Sequence, residues 1–188
     1  MEEQSPTKQP PGQLELVERF VNSLHMHESH DDEEELGSAA ALQAWLKERD
    51  LISADEEVTE GDLRRAMDVR EGLRALALAN NGVELDTGAV ERLDRAASRA
   101  GLRVQSLAGA PRLEPDAGGV DGALAALLGA VATSVADGSW ERFKACPREC
   151  CQWAFYDNSK NRSARWCDMA SCGNVEKARA YRQRKRAP

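Results

Sequence analysis

All five cysteines of this 188-residue chain lie between Cys146 and Cys172, so 145 residues pass before the first of them. Cys146 and Cys151 are separated by four residues, Cys167 and Cys172 by another four, and fifteen lie between the pairs. Two close pairs on a short connector meet the needs of a tetrahedral Zn²⁺. Each pair sits on a tight turn that aims two sulfurs inward, and the connector brings the turns together at Zn–S distances of about 2.3 Å. A segment too small to bury its own core draws stability from such an ion. Four protein thiolates leave no open coordination position, which makes the site structural rather than catalytic. Five cysteines compete for four places, however. The symmetric set is Cys146, Cys151, Cys167 and Cys172, and Cys150 in place of Cys151 would shorten the first gap to three residues.

Charge divides the chain at nearly the same point, near Gly138. Residues 140–188 carry 12 Lys and Arg against 5 Asp and Glu, a balance of +7, whereas residues 1–139 carry 13 against 27, a balance of −14. Four thiolates on one Zn²⁺ would leave the C-terminal segment at about +5, still clearly cationic. A basic end on an acidic body points to a polyanion partner for that end. No stretch approaches the ~20 consecutive apolar residues of a membrane helix, so no membrane partner is expected. The opening "MEEQSPTKQPPGQ" is polar and Pro-rich, unlike a signal or transit peptide, and residues 1–12 read as a disordered lead-in. The cytoplasm is therefore the expected compartment, where thiols stay reduced and clustered cysteines mean metal rather than disulfide.

Ahead of the cysteines, helical periodicity dominates. "LELVERFVNSLHM" places Leu14, Val17, Phe20, Val21 and Leu24 on one face. "SAAALQAWLKERD" has Ser38 as its N-cap, with Leu42, Trp45 and Leu46 inward. The clearest helix is "TEGDLRRAMDVREGLRALALANNG". It opens on a Thr59/Asp62 capping pair, buries Leu63, Met67, Val69, Leu73, Leu76 and Leu78, and stops at Asn80-Asn81-Gly82. "DTGAVERLDRAASRAG" forms a shorter one. "LRVQSLAGAPRLEP" then alternates apolar and polar around Gly109 and Pro111, as a two-stranded ribbon does. "VDGALAALLGAVATSVADG" is apolar nearly all round and reads as the central helix. The fold expected is mainly α: a helical domain over residues 13–139 with about five helices and one β-ribbon, then a small zinc-binding unit over 140–188. This body offers no Gly-rich phosphate loop, nucleophile elbow or cysteine nucleophile, so the chain does not read as an enzyme. His25, His27 and His30 before "DDEEE" read as a solvated helix end running into an acidic loop, and Trp45 and Trp140 as core anchors.

The segment "FYDNSKNRSARWCDMASCGNVEKARAYRQR" resembles the C-terminal signature of the CGNR zinc finger family. Its elements stand here, in the family's order, as Phe155, Asp157, Ser159-Lys160-Asn161, Ala164-Arg165-Trp166-Cys167 and Cys172-Gly173-Asn174-Val175. Members carry an N-terminal helical module, the ABATE domain, whose pattern "LVERFVNSL", "LQAWL" and "LRRAMDVREGLRAL" fit more loosely. The resemblance spans residues 14–186, with its specific motifs in the last 40 or so. It implies a treble-clef finger, DNA binding and a role in stress-linked transcriptional regulation, and it puts the zinc ligands at Cys146, Cys151, Cys167 and Cys172. Val175 and Ala164 depart from the pattern, each standing where the family has an arginine and removing a phosphate or base contact.

After Cys172, Gly173 permits a tight turn and Asn174 is a good N-cap for "VEKARAYRQRKR". Val175, Ala178 and Tyr181 form a narrow apolar stripe expected to lie against the zinc knuckle. Lys177 and Arg184 share one side of the helix, Arg179, Arg182 and Arg186 another, and Lys185 adds to the run. A short cationic helix fixed at one end suits the major groove of double-stranded DNA, where arginine reads guanine, and the same side chains hold phosphates. Lys160, Arg162 and Arg165 on the connector would touch the backbone beside it, while Ser159 and Asn161 bond within the turn. Trp153, Phe155 and Trp166 form the finger's minimal core. The resulting reading is a zinc-dependent DNA-binding transcription regulator whose helical domain senses a small-molecule ligand or mediates homodimerisation. A protein-interaction adaptor and an RNA-binding module are the competing readings.

Overall fold

The computed structural model of the chain describes residues 10–26, 32–107 and 110–186, the side chains of 107, 110 and 186 excepted. Residues 1–9 of the expected lead-in, His27, His30 and Gly109 lie outside them. Five helices make the body: α1 (Leu14–Val21), α2 (Ala39–Lys47), α3 (Glu60–Ala79), α4 (Thr87–Ala97) and α5 (Gly119–Ala136). Strand β1 (Leu24–His25) pairs with β2 (Glu33–Glu34) between α1 and α2. The ribbon of β3 (Leu102–Leu107) and β4 (Ala110–Pro115) is antiparallel, with Leu102 opposite Pro115 and Val104 opposite Leu113. The C-terminal segment adds a one-turn 3-10 helix (Trp140–Arg142), a hairpin of β5 (Phe143–Ala145) and β6 (Ala154–Tyr156), a π-turn (Met169–Gly173) and α6 (Asn174–Arg186).

Local chemistry sets the helix ends. Ser38 caps α2 by accepting from the Ala41 N–H at 3.1 Å. Thr59 and Asp62 close a full capping box on α3, each side chain taking the other's backbone N–H. Helix α1 ends at Val21, shorter than the periodicity through Leu24 predicts. Its last residues are claimed from outside: Arg74 donates to the Val21 carbonyl at 2.6 Å, and Ser23 turns its hydroxyl back to Phe20 at 2.8 Å. Leu24 and His25 then run extended, so His25 is not a solvated helix end; its ring meets Trp153 edge-on at 4.1 Å.

The core gathers Leu14, Val17, Phe20 and Val21 of α1, Leu42, Trp45 and Leu46 of α2, Val69 and Leu73 of α3, and Leu124 and Leu127 of α5. Gly72 lets α4 pack against α3, because a Cβ there would overlap the Leu93 side chain. Of the side expected to be buried in α3, Leu63, Val69 and Leu73 are buried, while Met67, Leu76 and Leu78 are partly so. Among the described residues α5 alone is long and apolar enough to cross a membrane. Its composition follows from its place, since half of it is buried within the body.

Two arginines of α3 are buried among the core residues: Arg70 is 3% exposed and Arg74 1%. Arg70 grips Glu34 with both terminal nitrogens at 2.7 Å and reaches Ser23 and Glu71. Burial works against its charge, but Glu34 and Glu71 together more than offset that and hold its pKa above the usual value. Arg74 is pulled below the usual value by burial, which Glu71 only partly opposes. Such pairs fix geometry, because removing one partner strands a buried charge at a cost of about 3–5 kcal/mol.

The helical body also receives part of the C-terminal segment. Phe143, Ala145, Ala154 and Tyr156 of the β5–β6 hairpin belong to the same core cluster as α1, α3 and α5. Four polar clasps fasten it. Asn22 exchanges both amide hydrogen bonds with the Ala154 backbone at 2.8 and 2.9 Å. Asn80 donates to the Trp140 and Phe143 carbonyls at 2.9 Å each, and Asn81 to those of Ala145 and Arg165 at 2.8 and 2.7 Å. Arg74 reaches the Gln152 carbonyl at 3.0 Å. The Asn80-Asn81-Gly82 stop is therefore also a clamp.

Candidate metal centre and basic helix

The hairpin and the π-turn carry one cysteine pair each. Cys146 follows β5, and its N–H donates to the Trp153 carbonyl at 2.9 Å across the first knuckle. Cys151 closes that knuckle, with Gln152 after it in the left-handed region at φ 46°. A non-glycine residue resists that conformation by about 1–2 kcal/mol. Here the turn's bond to the Arg148 carbonyl and the Arg74 clasp hold it. Cys167 and Cys172 flank the start of the second knuckle, where Asp168 accepts from the Ala170 and Ser171 N–H groups at 3.1 and 3.0 Å. The cap of this helical end is therefore Asp168, one turn earlier than Asn174. Gly173 is favoured by close approach rather than by an unusual backbone angle: a Cβ there would stand 2.6 Å from Met169 Sδ and 3.1 Å from Trp166.

The four sulfurs of Cys146, Cys151, Cys167 and Cys172 all lie within 4.8 Å of one another, and Cys150 is not among them. Cys167 Sγ is 3.6 Å from Cys151 Sγ and 3.7 Å from Cys172 Sγ. A tetrahedron with Zn–S of 2.3 Å has edges of about 3.8 Å, so the donor set fits one Zn²⁺ without rearrangement. The choice between Cys150 and Cys151 is settled for Cys151.

The protonation of the clustered thiols is shared through their hydrogen bonds. Hydrogen bonds from the Cys151 and Cys167 thiols drive Cys146 down to about 2, with backbone groups of Cys167 and Arg148 assisting. Giving its hydrogen bond to Cys146 pushes Cys151 up to about 12, and Cys167 is driven higher still by Cys146 and then Cys151. One thiolate forms readily and its neighbours resist. A dication removes the conflict by neutralising the site as the protons leave.

A second crosslink organises the connector between the pairs. Lys144 and Asp157 are both buried and pair at 2.7 Å. Lys144 Nζ also donates to the Arg162 and Ala164 carbonyls at 2.7 and 3.1 Å. Asp157 accepts from the Ser159 and Ala164 N–H groups at 2.9 and 3.0 Å. Burial pushes the Asp157 carboxyl up, but Lys144 and Ser159 outweigh it and hold the pKa below the ordinary carboxylate value. Ser159 bonds within the turn as expected, accepting from the Ser163 N–H at 2.9 Å.

Beyond the metal centre, α6 carries Lys177, Arg179, Arg182, Arg184, Lys185 and Arg186 against a single acid, Glu176. Thirteen residues at 1.5 Å each make a rod of about 20 Å. Its described side chains are exposed except for half-buried Glu176. The stripe of Val175, Ala178 and Tyr181 does not lie against the knuckle: Val175 is 38% exposed and Tyr181 54%. Lys185 lies over the Tyr181 ring at 5.4 Å instead.

Comparison with known protein families bears on both regions. Residues 142–185 match the CGNR zinc finger. Residues 14–138 match the ABATE family, whose description is "Putative stress-induced transcription regulator". The chain belongs to the ABATE family and ends in a CGNR zinc finger. Neither family is an enzyme family, and no curated protein matches the chain.

In this ABATE–CGNR protein the cations expected to meet nucleic acid fall into two groups. Lys160 is exposed on the connector; Arg162 pairs with Glu141, and Arg165 lies over the Trp166 ring at 5.6 Å. Lys177 and Arg184 are exposed on α6, Arg179 pairs loosely with Glu176 at 3.6 Å, and Arg182 bonds back to the Ala178 carbonyl. The side chain of Arg186 is outside the described residues. Of the three aromatics assigned to a finger core, Phe155 is buried, while Trp153 and Trp166 are half-buried. Sequence reasoning passed over Lys144 and Arg148. Lys144 gave no signal, being one apolar-flanked lysine. Arg148 stands between the first two ligands, and a cation inside a thiolate knuckle could have marked it.

Proposed function

We propose that this protein is a zinc-dependent DNA-binding transcription regulator in which α6 enters a groove of duplex DNA. The observation that carries this reading is a six-cation helix, solvated on every described side but one, rooted in a four-cysteine zinc site. Zinc takes no part in chemistry there; bound by four thiolates, it holds the knuckles rigid so that the helix starts from a fixed point. Arg179, Arg182, Arg184 and Arg186 supply guanidinium groups for guanine edges or phosphates, with Lys177 and Lys185 beside them. Lys160, Arg162 and Arg165 contact the flanking backbone. The acidic body keeps other surfaces away from DNA and supplies the regulatory input, as a ligand sensor or a dimerisation module. The finger's tryptophans are half-buried, Trp153 against His25 and Trp166 under Arg165, which favours duplex DNA over stacking on unpaired RNA.

Fluorescence anisotropy with a random-sequence duplex tests the reading. Zinc-loaded protein binds, and log K falls steeply and linearly with log salt, by about 0.9 per phosphate contact. Absence of binding at low salt, or binding insensitive to salt, rejects it.

A further inference from the structure

Helix α6 has little to steady it. Apart from its covalent start in the second knuckle and the half-buried Glu176, its described residues face solvent. A 13-residue helix is marginal alone in water, and a rod hinged at one end sweeps a wide arc.

One side chain from the first knuckle crosses to it. Arg148 lies between Cys146 and Cys151, and its carbonyl accepts from the Cys151 and Gln152 N–H groups at 3.0 and 3.1 Å. Its side chain is 11% exposed, with Nε 3.7 Å from Oε1 of Glu176 in the first turn of α6. Nη1 of the same guanidinium donates to Cys172 Sγ, a metal ligand on the other knuckle, at 3.5 Å. The residue thus touches both halves of the metal site and the base of the helix. Arginine suits the task because separate N–H edges of one rigid, permanently charged plane serve two anions, where a lysine offers a single point charge. Four thiolates on Zn²⁺ carry a net −2, so a cationic donor at Cys172 also stabilises the loaded site.

We infer that Arg148 is a positioning residue that ties the direction of α6 to the loaded metal site, by holding Cys172 Sγ and Glu176 on one guanidinium. Loss of the thiolate arrangement removes one anchor of Arg148 and with it the restraint on the helix. The inference rests on the nucleic-acid reading for what the oriented helix serves, not for how it is held.

The test uses full-length zinc-loaded protein and two variants. In the wild type, ¹⁵N relaxation order parameters of the α6 amides stay near those of the body, at about 0.85. In Arg148→Ala they fall toward about 0.6 or lower, and zinc affinity, read by competition with a chromophoric chelator, drops about tenfold. Glu176→Gln frees the helix without touching the thiolate, so α6 loosens while zinc affinity stays at the wild-type value. That variant also separates positioning from charge. Removing a negative charge from a DNA-facing helix should tighten binding, so a roughly two- to fivefold weaker affinity for duplex DNA identifies lost orientation. If Arg148→Ala does not fold, Glu176→Gln decides alone, because its side chain lies outside both knuckles. Wild-type order in α6 of Glu176→Gln, or unchanged zinc affinity in a folded Arg148→Ala, overturns the inference. An α6 that both variants loosen, in a protein that binds no duplex, sustains the inference and rejects only the nucleic-acid reading.

Discussion

Strands β5 and β6 of the C-terminal segment pack into the core of the helical body, whereas the described side chains of α6, the half-buried Glu176 excepted, stand in solvent. Both stretches lack the apolar residues for a core of their own. The first borrows one: Phe143, Ala145, Ala154 and Tyr156 join the core of α1, α3 and α5, and Asn22, Asn80, Asn81 and Arg74 take the backbone groups left over. The second starts from the four-cysteine site and the Asp168 cap, with Arg148 3.7 Å from its Glu176. The first half of the finger is therefore architecture shared with the body, and the second half is an exposed element that metal holds in place. The chain can thus present an uncovered cationic helix without an equally loose base beneath it.

Metal removal breaks the comparison most severely if it is wrong. Structural Zn²⁺ contributes an apparent ~10–16 kcal/mol in isolated finger peptides. Here that energy concentrates on the second knuckle and α6. Chelation, or Cys167→Ser, is expected to abolish hydrogen-exchange protection in residues 167–186 while amides of β5 and β6 stay protected by the body. Simultaneous loss in both stretches would show that the hairpin depends on the metal as much as the helix does.

Lys144→Met probes the join. It leaves the Asp157 carboxylate buried without its partner, for an expected loss of about 3–5 kcal/mol by denaturant titration. The pH dependence follows from the depressed Asp157 pKa. The unfolded chain holds that proton more tightly, so the pair's contribution is complete above the ordinary carboxylate value and disappears as pH falls through the lowered folded value. Asp157→Asn should remove this part of the acid limb; an acid limb identical to wild type would rule out the pair as its source. Asn22→Ala acts next in size. It leaves the Ala154 N–H and carbonyl unpaired in the core, at about 1–3 kcal/mol, with one zinc per chain retained. Loss of zinc in this variant would mean that the body shapes the metal site itself.

These clasps also mark where the sequence stops being readable. Helices α2 and α3 announce themselves by period and caps, and the metal site by the spacing of its cysteine pairs, since both signals are local. Asn22 falls inside the helix that the periodicity predicts through Leu24, and Asn80-Asn81 reads as a stop signal. Their partners lie 132, 63 and 64 residues away, and no local pattern records such a pairing. The burial of Arg70 and Arg74 goes unmarked in the sequence for the same reason. The misplaced stripe of Val175, Ala178 and Tyr181 is the converse case. Its period was legible, but the side chains face solvent, with Val175 38% and Tyr181 54% exposed.

The smallest expected change in stability falls on α6, where Arg179→Ala combined with Arg182→Ala removes two exposed guanidinium groups. Neither side chain supports the body, so unfolding free energy should stay within about 0.5 kcal/mol of wild type and one zinc per chain should remain. If each arginine meets a phosphate, the slope of log K against log salt for duplex DNA should lose about 2. A weaker affinity with an unchanged slope would mean that the pair acts through base edges rather than phosphates. Unchanged affinity and slope would place the DNA contacts elsewhere and leave α6 as a solvated end. A marked loss of stability would undo the distinction between the two halves, because it would require a helix that faces water on nearly every described side to hold the fold together.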